Sequence, residues 1–130
     1  MVNYLAVLVA AIAAFAVGML WYTVLFGKMW RKEMGIVEGA SMDGMATSMI
    51  GGFISTLVMT YVLAGLIAYA GNHTLMVALA IAFWIWLGFV ATIMSNIIWY
   101  EKRSWRIYLI NAAHYLTAML VAAAVLQWLS

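Results

Sequence analysis

Apolar residues run in long intervals along this chain, and the charged residues are confined to two short clusters. Lys28, Arg31, Lys32, Glu33, Glu38 and Asp43 make the first cluster; Glu101, Lys102, Arg103 and Arg106 make the second. The intervals around them, Met1 to Gly27, Gly44 to Tyr100 and Ile107 to Ser130, hold no Asp, Glu, Lys or Arg. A helix needs about 20 apolar residues to cross a hydrocarbon core of about 30 Å, so the outer intervals allow one crossing each and the middle one allows two. The middle interval must turn once, and Ala70-Gly71-Asn72-His73-Thr74 is its best break. The pattern predicts an all-α polytopic membrane protein, one domain over residues 1–130, with spans near 3–26, 46–70, 75–100 and 106–129 in an antiparallel bundle. Proline is absent, which removes the commonest cause of a sharp kink, and Gly51-Gly52 is the expected flexible point.

Composition excludes the alternatives. Hydrophobic residues make up 69% of the chain, charged ones 8%, and mean hydropathy is +1.09, so the charged residues are too few to cover a water-soluble domain. There is no cysteine, hence no disulfide and no thiolate metal site. A net charge of +2, held in two loops, does not suit nucleic acid. All six Lys and Arg fall in the first and third connections. The positive-inside rule therefore predicts that segments 27–45 and 101–105 are cytoplasmic and both termini outside. Trp30, Trp99, Tyr100, Trp105 and Tyr108 crowd the charged side, and Tyr4, Tyr69 and Trp128 mark the other. The first apolar segment lacks a basic flank and runs the length of a span, so it is expected to be a retained anchor. Residues 27–45 read as an interfacial connector on anionic headgroups or a gate over a cavity, with Ser41 or Asp43 the candidates to cap the second helix.

Lipid offers no hydrophobic reason for helices to associate, so small residues must let backbones approach. Helix one offers Ala6, Ala10, Ala14 and Gly18 at a spacing of four, and helix two Ser48, Gly52, Thr56 and Thr60. Helix three carries Ala78, Ala82, Gly88, Ala91 and Ser95, and helix four Ala118 and Ala122. The halves share a design in which Gly18 aligns with Gly88, Trp30 with Tyr100 and Lys32 with Lys102. A duplicated hairpin and shared membrane-end chemistry explain this equally well.

Polar side chains inside a span must find partners or line a wet space. Asn96 and Asn111 lie nearly equidistant from the turn at Arg103, which predicts a hydrogen bond between antiparallel neighbours. Gly88, Thr92, Ser95, Asn96 and Trp99 share one helical face, and Asn111, His114, Tyr115 and Ala118 another. Trp21 and Tyr22 bring helix one to comparable depth. His114, about eight residues or ~12 Å beyond Arg106, is a candidate proton or solute contact; the alternative is a histidine held in the bundle by Tyr22, Asn96 or Thr92. His73 belongs to the outer turn and is expected to be solvated, too far in depth from His114 for a shared metal. Trp84 and Trp86 point to different faces, and the eleven methionines are adaptable packers. No phosphate-loop, His-Glu-x-x-His or serine-base arrangement occurs, so no enzyme activity, metal or cofactor is expected.

Gly18-Met19-Leu20-Trp21-Tyr22, Leu25-Phe26-Gly27-Lys28-Met29-Trp30, and Ile110-Asn111 with Tyr115 together resemble a family of small four-helix bacterial membrane proteins classed as a domain of unknown function. The resemblance implies a four-span integral membrane protein and directs attention to Trp21, Tyr22, Phe26, Gly27, Trp30 and Asn111. Four-span drug exporters look for an acidic residue in the first helix, and this helix has none. The functional expectation is transport or channel-like activity. Its path is a pocket of Trp21, Tyr22, Thr92, Asn96, Asn111 and His114, open to the cytoplasm and formed between protomers of a homo-oligomer, a dimer by preference. The alternative is a non-transporting scaffold or accessory subunit that holds a membrane-protein partner on its small-residue and Met-rich faces.

Overall fold

The computed structural model describes residues 2–36, 44–71 and 74–129. Helix α1 (Tyr4–Leu20) runs into a π-helical turn (Trp21–Leu25) and then the short α2 (Gly27–Met34). Helix α3 (Met45–Ala70) is followed by α4 (Leu75–Ile85), which continues through a second π turn (Trp86–Ala91) into α5 (Thr92–Met94) and α6 (Asn96–Trp99). Helix α7 (Trp105–Leu129) closes the chain, and the described residues include no strand. Four helical stretches are long and apolar enough to cross a membrane: Tyr4–Leu25, Met45–Ala70, Leu75–Trp99 and Trp105–Leu129.

Local chemistry sets the ends. Asn3 Oδ1 accepts from the Leu5 and Ala6 amides at 3.1 and 3.2 Å, and its amide nitrogen donates to the Leu129 carbonyl at 3.3 Å, tying the start of α1 to the end of α7. Thr74 Oγ1 caps α4 through the Val77 amide. Gly71 stops α3 with a φ of 74°, a conformation in which a Cβ would be strained. The capping candidates Ser41 and Asp43 lie outside the described residues, as does His73; α3 itself begins after Gly44, which has no capping side chain.

Helix α7 packs on both α1 and α4, and α3 packs mainly on α1 while also touching α7 and α4. The core is built from alanine: Ala10, Ala78, Ala82, Ala122 and Ala123 are wholly buried. Their lack of side-chain bulk brings the backbones together, as expected for helices that associate in lipid. The helix-one stripe Ala6, Ala10 and Ala14 is buried, whereas in helix two Ser48 and Gly52 are exposed. Helix α3 packs instead through Thr60, Leu63, Ala64 and Ile67, near its Gly71 end. The Thr56 and Thr60 hydroxyls need no neighbouring helix, because Thr56 donates to the Gly52 carbonyl (2.8 Å) and Thr60 to the Thr56 carbonyl (2.7 Å). Nor is Gly51-Gly52 a point of irregularity: α3 passes through it unbroken, and the interruptions fall at the two π turns and at Ser95.

Candidate functional site

The first π turn carries the site. The Phe26 amide bonds the Trp21 carbonyl five residues back at 2.8 Å, the bond that defines such a turn. Two adjacent residues of the turn both reach α7: the Trp21 indole N–H donates to the Ile110 carbonyl at 3.0 Å, and the Tyr22 hydroxyl donates to Asn111 Oδ1 at 2.7 Å. The same hydroxyl oxygen lies 3.5 Å from His114 Nδ1. With the phenolic hydrogen on Asn111, this longer contact is a hydrogen bond in the tautomer that carries its proton on Nδ1. Asn111 and His114 are presented together because they are three residues apart on α7. Rings enclose them: His114 meets Tyr22 at 5.0 Å and Tyr115 at 4.7 Å between centroids, and Trp30 meets Tyr22 at 5.3 Å.

Of the six residues singled out in the sequence, the structure brings together Trp21, Tyr22, Asn111 and His114. Thr92 and Asn96 are not with them. Two bonds fix the register of helix three against α7: the Trp86 indole N–H donates to the Ala112 carbonyl and the Tyr108 hydroxyl to the Ala91 carbonyl, both at 2.8 Å. Asn111 is therefore level with the Trp86 turn, and Asn96 lies roughly ten residues, or ~15 Å, nearer the charged end. The expected Asn96–Asn111 bond fails because the hairpin is not symmetric about Arg103. The chain after Trp99 folds back along α6, with Lys102 in the left-handed region (φ 57°) and the Arg103 amide on the Ile97 carbonyl at 3.0 Å. The second π turn adds a rotation. Ala78, Ala82, Trp86, Val90, Met94 and Ile98 form the inward stripe at an exact spacing of four, which turns Gly88, Thr92 and Asn96 outward. Thr92 satisfies its hydroxyl on the Gly88 carbonyl, and Asn96 is exposed.

Several participants were missed in the sequence. Gly18, read there as a packing residue, makes room for the imidazole: a Cβ on it would come 2.9 Å from His114 Nε2. Its place at the end of the alanine stripe, at a depth comparable to that of His114, was the available signal. Trp86 holds helix three on α7 through its indole bond to the Ala112 carbonyl, and its spacing of four from Ala82 marks it as inward. At the charged end, Glu33 accepts from Ser104 Oγ at 2.9 Å and pairs with Arg106 at 3.4 Å, while Ser104 Oγ also caps α7 through the Ile107 amide.

The cluster offers hydrogen-bond donors and acceptors with no fixed charge, and Tyr22 is the group that both donates and accepts between two spans. Among the described residues, no group of three or more His, Asp or Glu could hold a metal ion. A groove of about 640 Å³ between α3 and α4, lined by residues such as Leu66, Tyr69, Trp84 and Phe89, is apolar and shares no residue with the cluster.

A family model for proteins of unknown function, DUF1761, matches residues 5–127. The chain belongs to the DUF1761 family. No curated protein and no solved structure matches it. Membership of DUF1761 agrees with the resemblance noted in the sequence, and the four apolar helices make this member a four-span protein by length and composition.

Proposed function

We propose that this DUF1761 member is a small transport or channel-like protein of the bacterial inner membrane, with segments 27–45 and 101–105 cytoplasmic and both termini outside. The observation that carries the reading is the Tyr22 hydroxyl, bonded to Asn111 and in contact with His114 between two spans. A group that donates and accepts at once can hand a proton or a polar solute from one partner to the next. Intramembrane polar groups of this kind mark conduction and relay paths, and π turns concentrate at functional positions. Catalysis forms no part of the reading. Nor does a cofactor, a metal or nucleic acid. A homodimer is the proposed assembly, by the frequency of two-fold oligomers.

The test is flux of protons and small polar solutes in proteoliposomes. Tyr22→Phe and His114→Ala are each expected to reduce flux at least about tenfold, and vesicles no leakier than protein-free ones would end the transport reading. One observation favours the scaffold reading: Met45, Met49, Ile50, Ile54 and Val58 are exposed apolar side chains on the charged-end half of α3. A stoichiometric second membrane protein crosslinked to that face would support it.

A further inference from the structure

Resting on the reading of the Tyr22, Asn111 and His114 cluster as the conducting contact, we propose that α2 is a lid over its charged-end side, latched by Glu33. Helix α2 packs directly on the cluster. Trp30 sets its ring against Tyr22, Phe26 sets its ring 4.8 Å from Trp21, and Gly27 lies so close that a Cβ would come 2.8 Å from the Tyr22 carbonyl. Gly27, Trp30, Glu33 and Met34 share one helical face by their spacing, and that face meets the rest of the protein. Lys28, Arg31 and Lys32 are exposed on the other side.

The polar attachment of this lid is narrow. Glu33 is the only carboxylate of α2, and its two oxygens take Ser104 and Arg106 at the start of α7. The neighbouring contact, Arg103 Nη1 on Met34 Sδ at 3.7 Å, is weak. Arg106 is 71% exposed, so water competes for the ion pair and the latch is breakable. Both ends of α2 permit movement: Phe26 departs from helical geometry (φ −125°, ψ 13°), and Gly35 sits at φ 74°. With the latch made, α2 shields Tyr22 from water; with it broken, the cluster opens toward the charged end.

The experiment is hydrogen–deuterium exchange on the full chain in lipid nanodiscs. Glu33→Ala keeps a good helix former in α2 and leaves the Ser104 cap of α7 in place. Exchange over residues 22–34 is expected to accelerate at least about tenfold while residues 108–129 are unchanged, with Arg106→Gln giving a smaller acceleration. Unchanged exchange over 22–34 in both variants overturns the lid, and so does equal acceleration along all of α7, which would mean general unfolding. Flux measured in parallel separates the two readings. Accelerated exchange with flux no greater than that of protein-free vesicles keeps the lid and removes the transport role, whereas flux above that level with unaltered exchange removes the lid alone.

Discussion

His114 Nε2 occupies the space where a side chain on Gly18 would begin. A Cβ there would stand 2.9 Å from the nitrogen, while Tyr22 holds the other edge of the ring at 3.5 Å. Gly18→Ala must therefore push the imidazole off Tyr22. Alanine's helix preference over glycine, roughly 0.5–1 kcal/mol, works in the opposite direction. The substitution is expected to destabilise by about 1 kcal/mol with His114 present and to be neutral or stabilising in His114→Ala. A double-mutant cycle in detergent unfolding should thus return a coupling of about 1–2 kcal/mol. Additive effects would mean that the ring is not confined.

Trp84 and Trp86 stand two residues apart and should respond differently to Phe. Trp84 is 66% exposed on the outer face, whereas Trp86 packs on the core and donates to the Ala112 carbonyl. Trp86→Phe loses that bond, which within membranes averages about 0.6 kcal/mol, together with indole packing. A loss of about 1–2 kcal/mol is expected. Trp84→Phe should stay within about 0.5 kcal/mol of the parent. Equal losses in thermal unfolding would contradict the register between helix three and α7.

The contrast between these residues explains how much could be read in advance. Four spans were legible because ten charges are restricted to two clusters, a pattern that only a bilayer makes sense of. Half of the site was legible too, since Asn111 and His114 share a face by spacing and Tyr22 lies at matching depth. Thr92 and Asn96 were misplaced because the reading assumed one unbroken helical period and a hairpin symmetric about Arg103. A π turn changes the period by one residue, and the backbone bond from Arg103 to Ile97 moves the fold-back point. Neither leaves a composition signal. Glu33 was counted with the loop charges because its partner Ser104 lies 71 residues away in the chain.

Ser104 and Arg106 share Glu33, yet they should not matter equally for stability. Ser104 Oγ also accepts from the Ile107 amide and caps α7, so Ser104→Ala removes a cap as well as a bond. A loss of about 1–2 kcal/mol is expected. Arg106→Gln removes only the exposed arginine of the pair and leaves Glu33 its bond from Ser104, so it should cost less than about 1 kcal/mol. Unfolding in detergent at low and high salt checks both: the Arg106 effect should shrink with salt and the Ser104 effect should persist.

Gly51 and Gly27 should respond to alanine with opposite signs. A Cβ on Gly51 would meet nothing within 4 Å, and α3 is regular there, so Gly51→Ala is expected to stabilise by about 0.4–1 kcal/mol. At Gly27 the Cβ would lie 2.8 Å from the Tyr22 carbonyl, a backbone atom that cannot rotate out of the way. Gly27→Ala should cost about 1–3 kcal/mol and loosen α2. Unfolding of both variants should be followed in detergent and again in lipid nanodiscs. If Gly51→Ala stabilises in detergent but destabilises in the bilayer, the outward face of α3 meets another chain there, and the space beside Gly51 belongs to an interface rather than to lipid.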